Sequence, residues 1–210
     1  LPAYIPSTIT LTNANADNIF KSPTNDVMYV SSVGNIYKIL PDDSIVYFST
    51  IGGTSRSLFR TTYDSDGNLY ITANGANTVW KITPAGDASV FITASVGYFC
   101  NLVYSDVENL LYVQNVTYAF NTGSIKKVTL AGAQTTFVDY TSHGYQPRTD
   151  DAWANRVDSS GNLYISSIDQ SYLEKFTPAG VRTVFTSALT VPSLNNILVD
   201  SNDNVYLMRN

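Results

Sequence analysis

Disulfides, charge and long apolar runs are what this 210-residue chain lacks. Cys100 is its single cysteine, so no intrachain disulfide can form and no second thiol exists for a thiolate metal site. The ordinary role of a lone buried cysteine is that of a small hydrophobe. Charged residues make up only 14% of the sequence, against about 25% in an ordinary soluble domain. Ser, Thr, Asn and Tyr take their place, giving the neutral, hydroxyl-rich surface expected of an extracellular or surface protein, whether secreted, on a cell or on a virion. The net charge of −5 and the scatter of the twelve Lys and Arg residues argue against nucleic acid, because phosphate binding needs clustered cations. Apolar runs long enough for a helical membrane span are missing. No signal peptide is visible, and a start at Leu1 rather than Met reads as a processed product or an excerpt. Asn115-Val116-Thr117 is the one N-glycosylation sequon. Gly-x-Ser-x-Gly, His-Glu-x-x-His and phosphate-cradling loops are also missing. No catalytic residue, metal ligand or cofactor is therefore assigned.

What the chain does have is a repeat. A Tyr-centred segment occurs five times, at Asp26-Val-Met-Tyr29-Val30, Gly67-Asn-Leu-Tyr70-Ile71, Asn109-Leu-Leu-Tyr112-Val113, Gly161-Asn-Leu-Tyr164-Ile165 and Asp203-Asn-Val-Tyr206-Leu207. The tyrosines are spaced 41, 42, 52 and 42 residues apart. A fixed period of this size marks one supersecondary unit copied along the chain. The second and fourth copies show its parts. Asp64-Ser-Asp-Gly-Asn68 and Asp158-Ser-Ser-Gly-Asn162 are tight turns, with Gly free to take positive φ and Asp able to bond its own backbone. Leu-Tyr-Ile is a short strand of high β propensity. A Lys-bearing strand follows and ends at Thr-Pro-Ala-Gly, where Pro removes a ladder donor. Ser89–Thr93 and Arg182–Thr186 read as last strands. With the segment before each Asp, every unit has four strands.

Four antiparallel strands per repeat, arrayed radially, is the β-propeller plan. The expected fold is all-β: a five-bladed β-propeller of four-stranded antiparallel blades, one domain over residues 1–210 built from five repeats of about 42 residues. The strand before the turn occurs five times but the Lys strand four times, at Lys38, Lys81, Lys127 and Lys175. Ser7–Thr12 is therefore expected to close the ring by pairing with the C-terminal blade. An incompletely filled last blade would leave a strand edge open to another chain, copies of this one included. The five repeat tyrosines are expected to be buried and equivalent.

The Asp-x-x-Gly-Asn-Leu-Tyr-Ile and Lys-Ile/Phe-Thr-Pro-Ala-Gly pattern resembles NHL-type propeller repeats and the related streptogramin-lyase-like propellers. The resemblance implies the fold and leaves the function open, because such repeats carry enzymes, ligand binders and scaffolds alike. Metal-dependent lyases or lactonases of this type place a metal and acid–base groups at the central mouth. Here the matching positions are Asn and aromatic, and only Asp150 or Asp151 could bring a carboxylate.

Counting eleven residues back from each repeat Tyr gives Asn18, Phe59, Asn101, Trp153 and Asn195. One step later come Ile19, Arg60, Leu102, Ala154 and Asn196. One such set would ring a mouth of the central channel and suit a small polar or glycan ligand. Alternatively these side chains bond loop backbones and neighbouring blades. The insertion at Tyr140–Trp153 carries His143, the sole histidine, and enters the fourth unit at the same mouth. Long loops on regular scaffolds often carry function, though this one also fits a packed surface loop. Asp64-Ser-Asp-Gly-Asn68 looks like the start of a calcium loop, but Leu69 and Gly75 stand where an EF-hand needs Gly and Glu. The chain reads as a non-enzymatic extracellular or surface module for protein assembly or ligand binding, with self-assembly as one form of it. A metal-dependent propeller enzyme is the alternative.

Overall fold

The repeat turns are held by their own aspartates. In a computed structural model describing residues 18–22, 27–32, 34–52, 58–73, 76–117, 123–139, 155–166, 173–186 and 194–209, Asp64 Oδ1 accepts the backbone N–H groups of Asp66 and Asn68 at 3.0 and 2.9 Å. Its Oδ2 accepts Asn68 Nδ2 at 2.8 Å and the Tyr70 hydroxyl at 3.0 Å. Asp158 and Asp200 repeat this pattern, ending on the hydroxyls of Tyr164 and Tyr206. The motif is thus a turn tied to the following strand, with its carboxylate fully engaged. Gly67 and Gly161 sit at φ near +80° in these turns, and Asp203 takes the same left-handed position at +62°, as Asp can. In the third unit Glu108 takes over, accepting the Tyr112 hydroxyl and pairing with Lys127 at 2.6 Å.

These turns join strands into antiparallel meanders, with no helix among the described residues. The first sheet holds β1 (Asn18–Lys21), β2 (Met28–Ser32), β3 (Asn35–Ile39) and β4 (Ile45–Thr50). The second holds β5 (Leu58–Tyr63), β6 (Leu69–Ala73), β7 (Thr78–Ile82) and β8 (Ala88–Thr93). The third holds β9 (Tyr98–Ser105), β10 (Leu110–Val116), β11 (Gly123–Thr129) and β12 (Gln134–Asp139). The fourth holds β13 (Asn155–Val157), β14 (Leu163–Ser166), β15 (Leu173–Phe176) and β16 (Arg182–Thr186). The fifth sheet pairs β17 (Leu194–Val199) with β18 (Val205–Arg209). Each sheet is one blade of a β-propeller. The first strands of successive blades pack on one another, β1 on β5, β5 on β9, β9 on β13 and β13 on β17, which places them innermost. The expected closing strand Ser7–Thr12 lies outside the described residues.

The core is divided among the blade junctions. Tyr29 packs with Leu69, Ile71 and Ile82. Tyr70 packs with Leu102, Leu111 and Val113, Tyr112 with Leu163 and Ile165, and Tyr164 with Ile197. Every junction therefore buries the Tyr of one blade against the aliphatic face of the next. The Lys-bearing strand serves the same ring. Tyr70 pairs with Lys81, Tyr112 with Lys127 and Tyr164 with Lys175, and each ammonium lies 5.4–5.6 Å from the ring centroid, within cation–π range. A Phe from the fourth strand closes each stack: Phe48 at 5.1 Å from Tyr29, Phe91 at 4.8 Å from Tyr70, Phe137 at 5.0 Å from Tyr112 and Phe185 at 5.1 Å from Tyr164.

The fifth tyrosine departs from the expectation. Tyr29, Tyr70, Tyr112 and Tyr164 are 4%, 0%, 0% and 3% exposed, but Tyr206 is 52% exposed. It keeps the turn hydrogen bond, at 3.0 Å to Asp200. What it lacks among the described residues is cover: its sheet has two strands there, with no Lys or Phe over the ring and no following blade against it.

Candidate functional site

The inner strands begin at one mouth of the propeller, and their register there is not the one that counting from the tyrosines gives. Asn18 pairs with Ser31, Arg60 with Thr72, Asn101 with Gln114 and Asn196 with Met208. Ladder-equivalent positions are thus Asn18, Arg60, Asn101 and Asn196. The difference arises because the residue before the Tyr is separated from its ladder partner by five residues in the β5 and β17 hairpins (Tyr63↔Leu69, Val199↔Val205) and by six in the β1 and β9 hairpins (Lys21↔Met28, Tyr104↔Leu111). Phe59, Cys100 and Asn195 are instead bulge residues, each skipped by the ladder between its neighbours. A bulge bends the strand and re-aims side chains, and bulges concentrate beside functional sites. Among the expected site residues, Trp153 and His143 lie outside the described residues. For Asn18, Phe59 and Asn195 only the backbone is described. Asn101 is buried, and its Oδ1 accepts the Leu102 N–H at 2.8 Å.

Around this mouth the structure adds residues that sequence reasoning missed. Ser31, Thr72 and Gln114 occupy the same second-strand position in three blades, two residues after the Tyr. All three are buried, and none has a hydrogen-bond partner for its side chain. Asn155, first residue of β13, is buried with both amide atoms unpartnered. The signal was available: a polar residue stands two places after the core Tyr in each of these strands. Arg60 and Arg156 bring positive charge. Burial lowers the Arg60 pKa, with Cys100 acting the other way. Burial and then repulsion from Arg60 lower that of Arg156. Burial raises the Cys100 thiol to about 12 against a smaller pull from Arg60, so it stays protonated and unreactive at neutral pH.

At the opposite mouth a concavity of about 430 Å³ lies where the inner strands end, lined by Lys21, Thr62, Tyr63, Asp64, Ser65, Tyr104 and Asp106. Asp64 is spent on its turn, and Ser65 and Tyr104 approach each other at 3.3 Å. Among the described residues no group of three His, Cys, Asp or Glu side chains could hold a metal ion, and no helix is long and apolar enough to cross a membrane.

No family model matches the chain, and no curated protein matches it. Solved structures match the propeller. Virginiamycin B lyase from Staphylococcus aureus superposes with a TM-score of 0.68 at 16% identity, over 96% of this chain and 65% of that one. The nidogen/laminin complex gives a TM-score of 0.66 at 12% identity, over 87% of this chain and 70% of that one. The extracellular domain of a two component system from Bacteroides thetaiotaomicron gives 0.64 at 11% identity, over 90% and 26%. The chain spans a little under two thirds of the length of both virginiamycin B lyase structures it matches. At these identities the likeness is one of fold: a β-propeller of the streptogramin-lyase and nidogen type.

Proposed function

We propose that this chain is a non-enzymatic extracellular or surface propeller module, one domain over its length, that works by assembling with other protein chains, copies of itself first. The observation that carries this reading is apolar surface exposed, among the described residues, on the first and last described sheets. At one end Tyr206 and Leu198 are 52% and 43% exposed. At the other, Ile19 and Met28 are 58% and 36% exposed, while their counterparts Leu102 and Ile197, and Leu69, Leu111 and Leu163, are at most 2% exposed. Among the described residues the two end sheets expose parts of the two faces that the internal junctions bury, Val30 on the first sheet being covered at 3%. The Tyr face of one copy fits the aliphatic face of another, a head-to-tail contact that builds rings or filaments. The low charge density suits an exposed assembly surface, and nidogen/laminin and extracellular-domain neighbours have the same fold.

Sedimentation velocity across a concentration series tests this. The unaltered chain should form concentration-dependent oligomers. Tyr206→Lys and Met28→Lys should each be monomeric alone, because each spoils one face. Mixed together they should form a dimer and nothing larger, through the one intact face on each. A unaltered chain that stays monomeric throughout, with the two ends meeting within one molecule, would overturn the proposal. Incubation with EDTA addresses the enzyme alternative: a metal-dependent lyase or lactonase loses activity, whereas an assembly module keeps its oligomers.

A further inference from the structure

One position of the repeat is filled in two different ways around the propeller. At or next to the end of each inner strand stands the ladder partner of the residue before the repeat Tyr. Lys21 pairs there with Met28, Tyr63 with Leu69, Tyr104 with Leu111, Val157 with Leu163 and Val199 with Val205. In the fourth and fifth sheets a valine meets the need, packing on the adjacent junction cluster. In the second and third sheets a tyrosine packs on the corresponding clusters. Its larger ring and its hydroxyl go beyond what the fold asks of this position. The first sheet places an exposed lysine there. These three departures are brought together: Lys21, Tyr63 and Tyr104 all line the concavity of about 430 Å³, and neither valine does.

The wall is held in place but not saturated. The Tyr104 N–H donates to Thr62 Oγ1 at 3.1 Å, and its hydroxyl donates to Asn109 Oδ1 at 2.8 Å, which fixes this ring between the second and third sheets. The exposed Ser65 hydroxyl meets only the Tyr104 hydroxyl, at 3.3 Å, among the described residues. The Tyr63 hydroxyl is enclosed and has no hydrogen-bond partner, and enclosed polar groups are ordinarily completed by something. Asp64 is spent on its turn, so the carboxylate on offer is that of exposed Asp106. Lys21 and Asp106 bring one charge of each sign, which favours a neutral ligand over an anion or a cation. The volume lies within the roughly 300–1,000 Å³ of small-molecule sites. Tyrosine offers an apolar ring with a polar tip, while hydroxyl, carboxylate and ammonium groups supply donors and acceptors side by side. A neutral molecule with a C–H face and hydroxyls around its edge answers all of these features, and a sugar ring is such a molecule.

We propose that this mouth binds a neutral sugar, as a mono- or disaccharide unit, its C–H face against Tyr63 and Tyr104 and its hydroxyls shared among Ser65, Asp106 and Lys21. The site goes beyond the assembly reading and does not rest on it.

Saturation-transfer NMR with glucose, galactose, mannose and N-acetylglucosamine, one at a time and at a protein concentration where the chain is monomeric, tests the proposal. Glycine and acetate serve as zwitterionic and anionic probes. At least one sugar should receive saturation, strongest at its ring C–H protons, and glycine and acetate should receive none. Titrated by the same signal, Asp106→Asn should bind that sugar tenfold or more weakly at unchanged Tm, since the position is exposed. Tyr63→Val introduces the residue type that two other sheets carry at this position, so it should fold and lose the sugar signal. If it fails to fold, Tyr104→Phe removes one hydroxyl alone and should weaken binding severalfold. Absence of saturation in all four sugars, a stronger response to glycine or acetate, or undiminished sugar binding in Asp106→Asn would overturn the site.

Discussion

Tyr70 and Tyr206 both stand between aliphatic residues, Leu69 and Ile71 or Val205 and Leu207, and make the same hydroxyl bond, 3.0 Å to the turn aspartate in each case, but differ in burial. Truncating each to alanine separates what the hydrogen bond contributes from what the blade junction contributes. A buried tyrosine removes about 150–250 Å² from water, which at about 25 cal/mol per Å² amounts to roughly 4–6 kcal/mol. That is an upper bound, because the unfolded chain already hides part of the ring. Core aromatic truncations measure about 3–5 kcal/mol, and Tyr70→Ala should fall in that range. It also deprives Phe91 and Lys81 of their ring. For a chain of this size, such a loss lowers Tm by on the order of 10 °C. Tyr206→Ala should lower it by well under half as much, since its ring is 52% exposed and has no Lys, Phe or following blade over it among the described residues. Differential scanning calorimetry at a concentration where the chain is monomeric makes the comparison. Equal falls in Tm would mean that the turn bond, rather than the junction, is what the repeated Tyr supplies.

Three further outcomes follow from the same geometry. A Cβ at Gly97 would sit 2.0 Å from the Val116 carbonyl oxygen, whereas at Gly132 its nearest neighbour is 3.6 Å away; by chemical denaturation Gly97→Ala should cost about 3 kcal/mol or more and Gly132→Ala only the ~1 kcal/mol of its left-handed backbone. Asp200 is lowered to about 2 by hydrogen bonds from Asn204, and in Asp158 the bonds from Asn162, Tyr164 and Ser160 outweigh a burial effect of opposite sign. With folded values below the unfolded carboxylate value near 3.9, the stability they add is present above about pH 4 and is lost as pH falls toward 2; an acid titration by circular dichroism should show it, with Asp158→Asn flattening the slope. Lys127 bonds Glu108 at 2.6 Å and the Pro178 carbonyl of the next blade at 2.7 Å, so Lys127→Met should cost about 1–2 kcal/mol after allowance for partial exposure, while Lys126→Met, whose ammonium meets only the exposed Gln134 among the described residues, should leave urea midpoints unchanged.

The blades were legible because each is written in local chemistry. Asp, Gly and Pro punctuate the strands, and the period of Tyr and Lys reports a junction that is the same at every step. Burial at Tyr206 was misread because it depends on a neighbour in space, which the repeat unit does not encode. The mouth was only partly legible for a related reason. A count of eleven residues assumes equal turns and unbroken ladders, but the turns differ by one residue and the strands bulge at Phe59, Cys100 and Asn195. That mixes bulge with ladder positions and passes over Arg156, Gln114 and Asn155, which lie on the two strands β13 and β10.

Dividing the apolar interior into four separate clusters, one per junction, also decides how this molecule comes apart. With no shared centre, losing one blade costs one cluster and leaves the rest standing, as in a zipper. Among the described residues, the cluster joining the fourth and fifth sheets has three buried members, Tyr164, Leu173 and Ile197, against nine between the second and third. Unravelling therefore starts from the β17–β18 end and meets its highest resistance in the middle. Amide protons of β9 and β10 should outlast those of β17 and β18 by orders of magnitude, and a protease should shorten this chain from its C-terminal side in steps the length of one repeat.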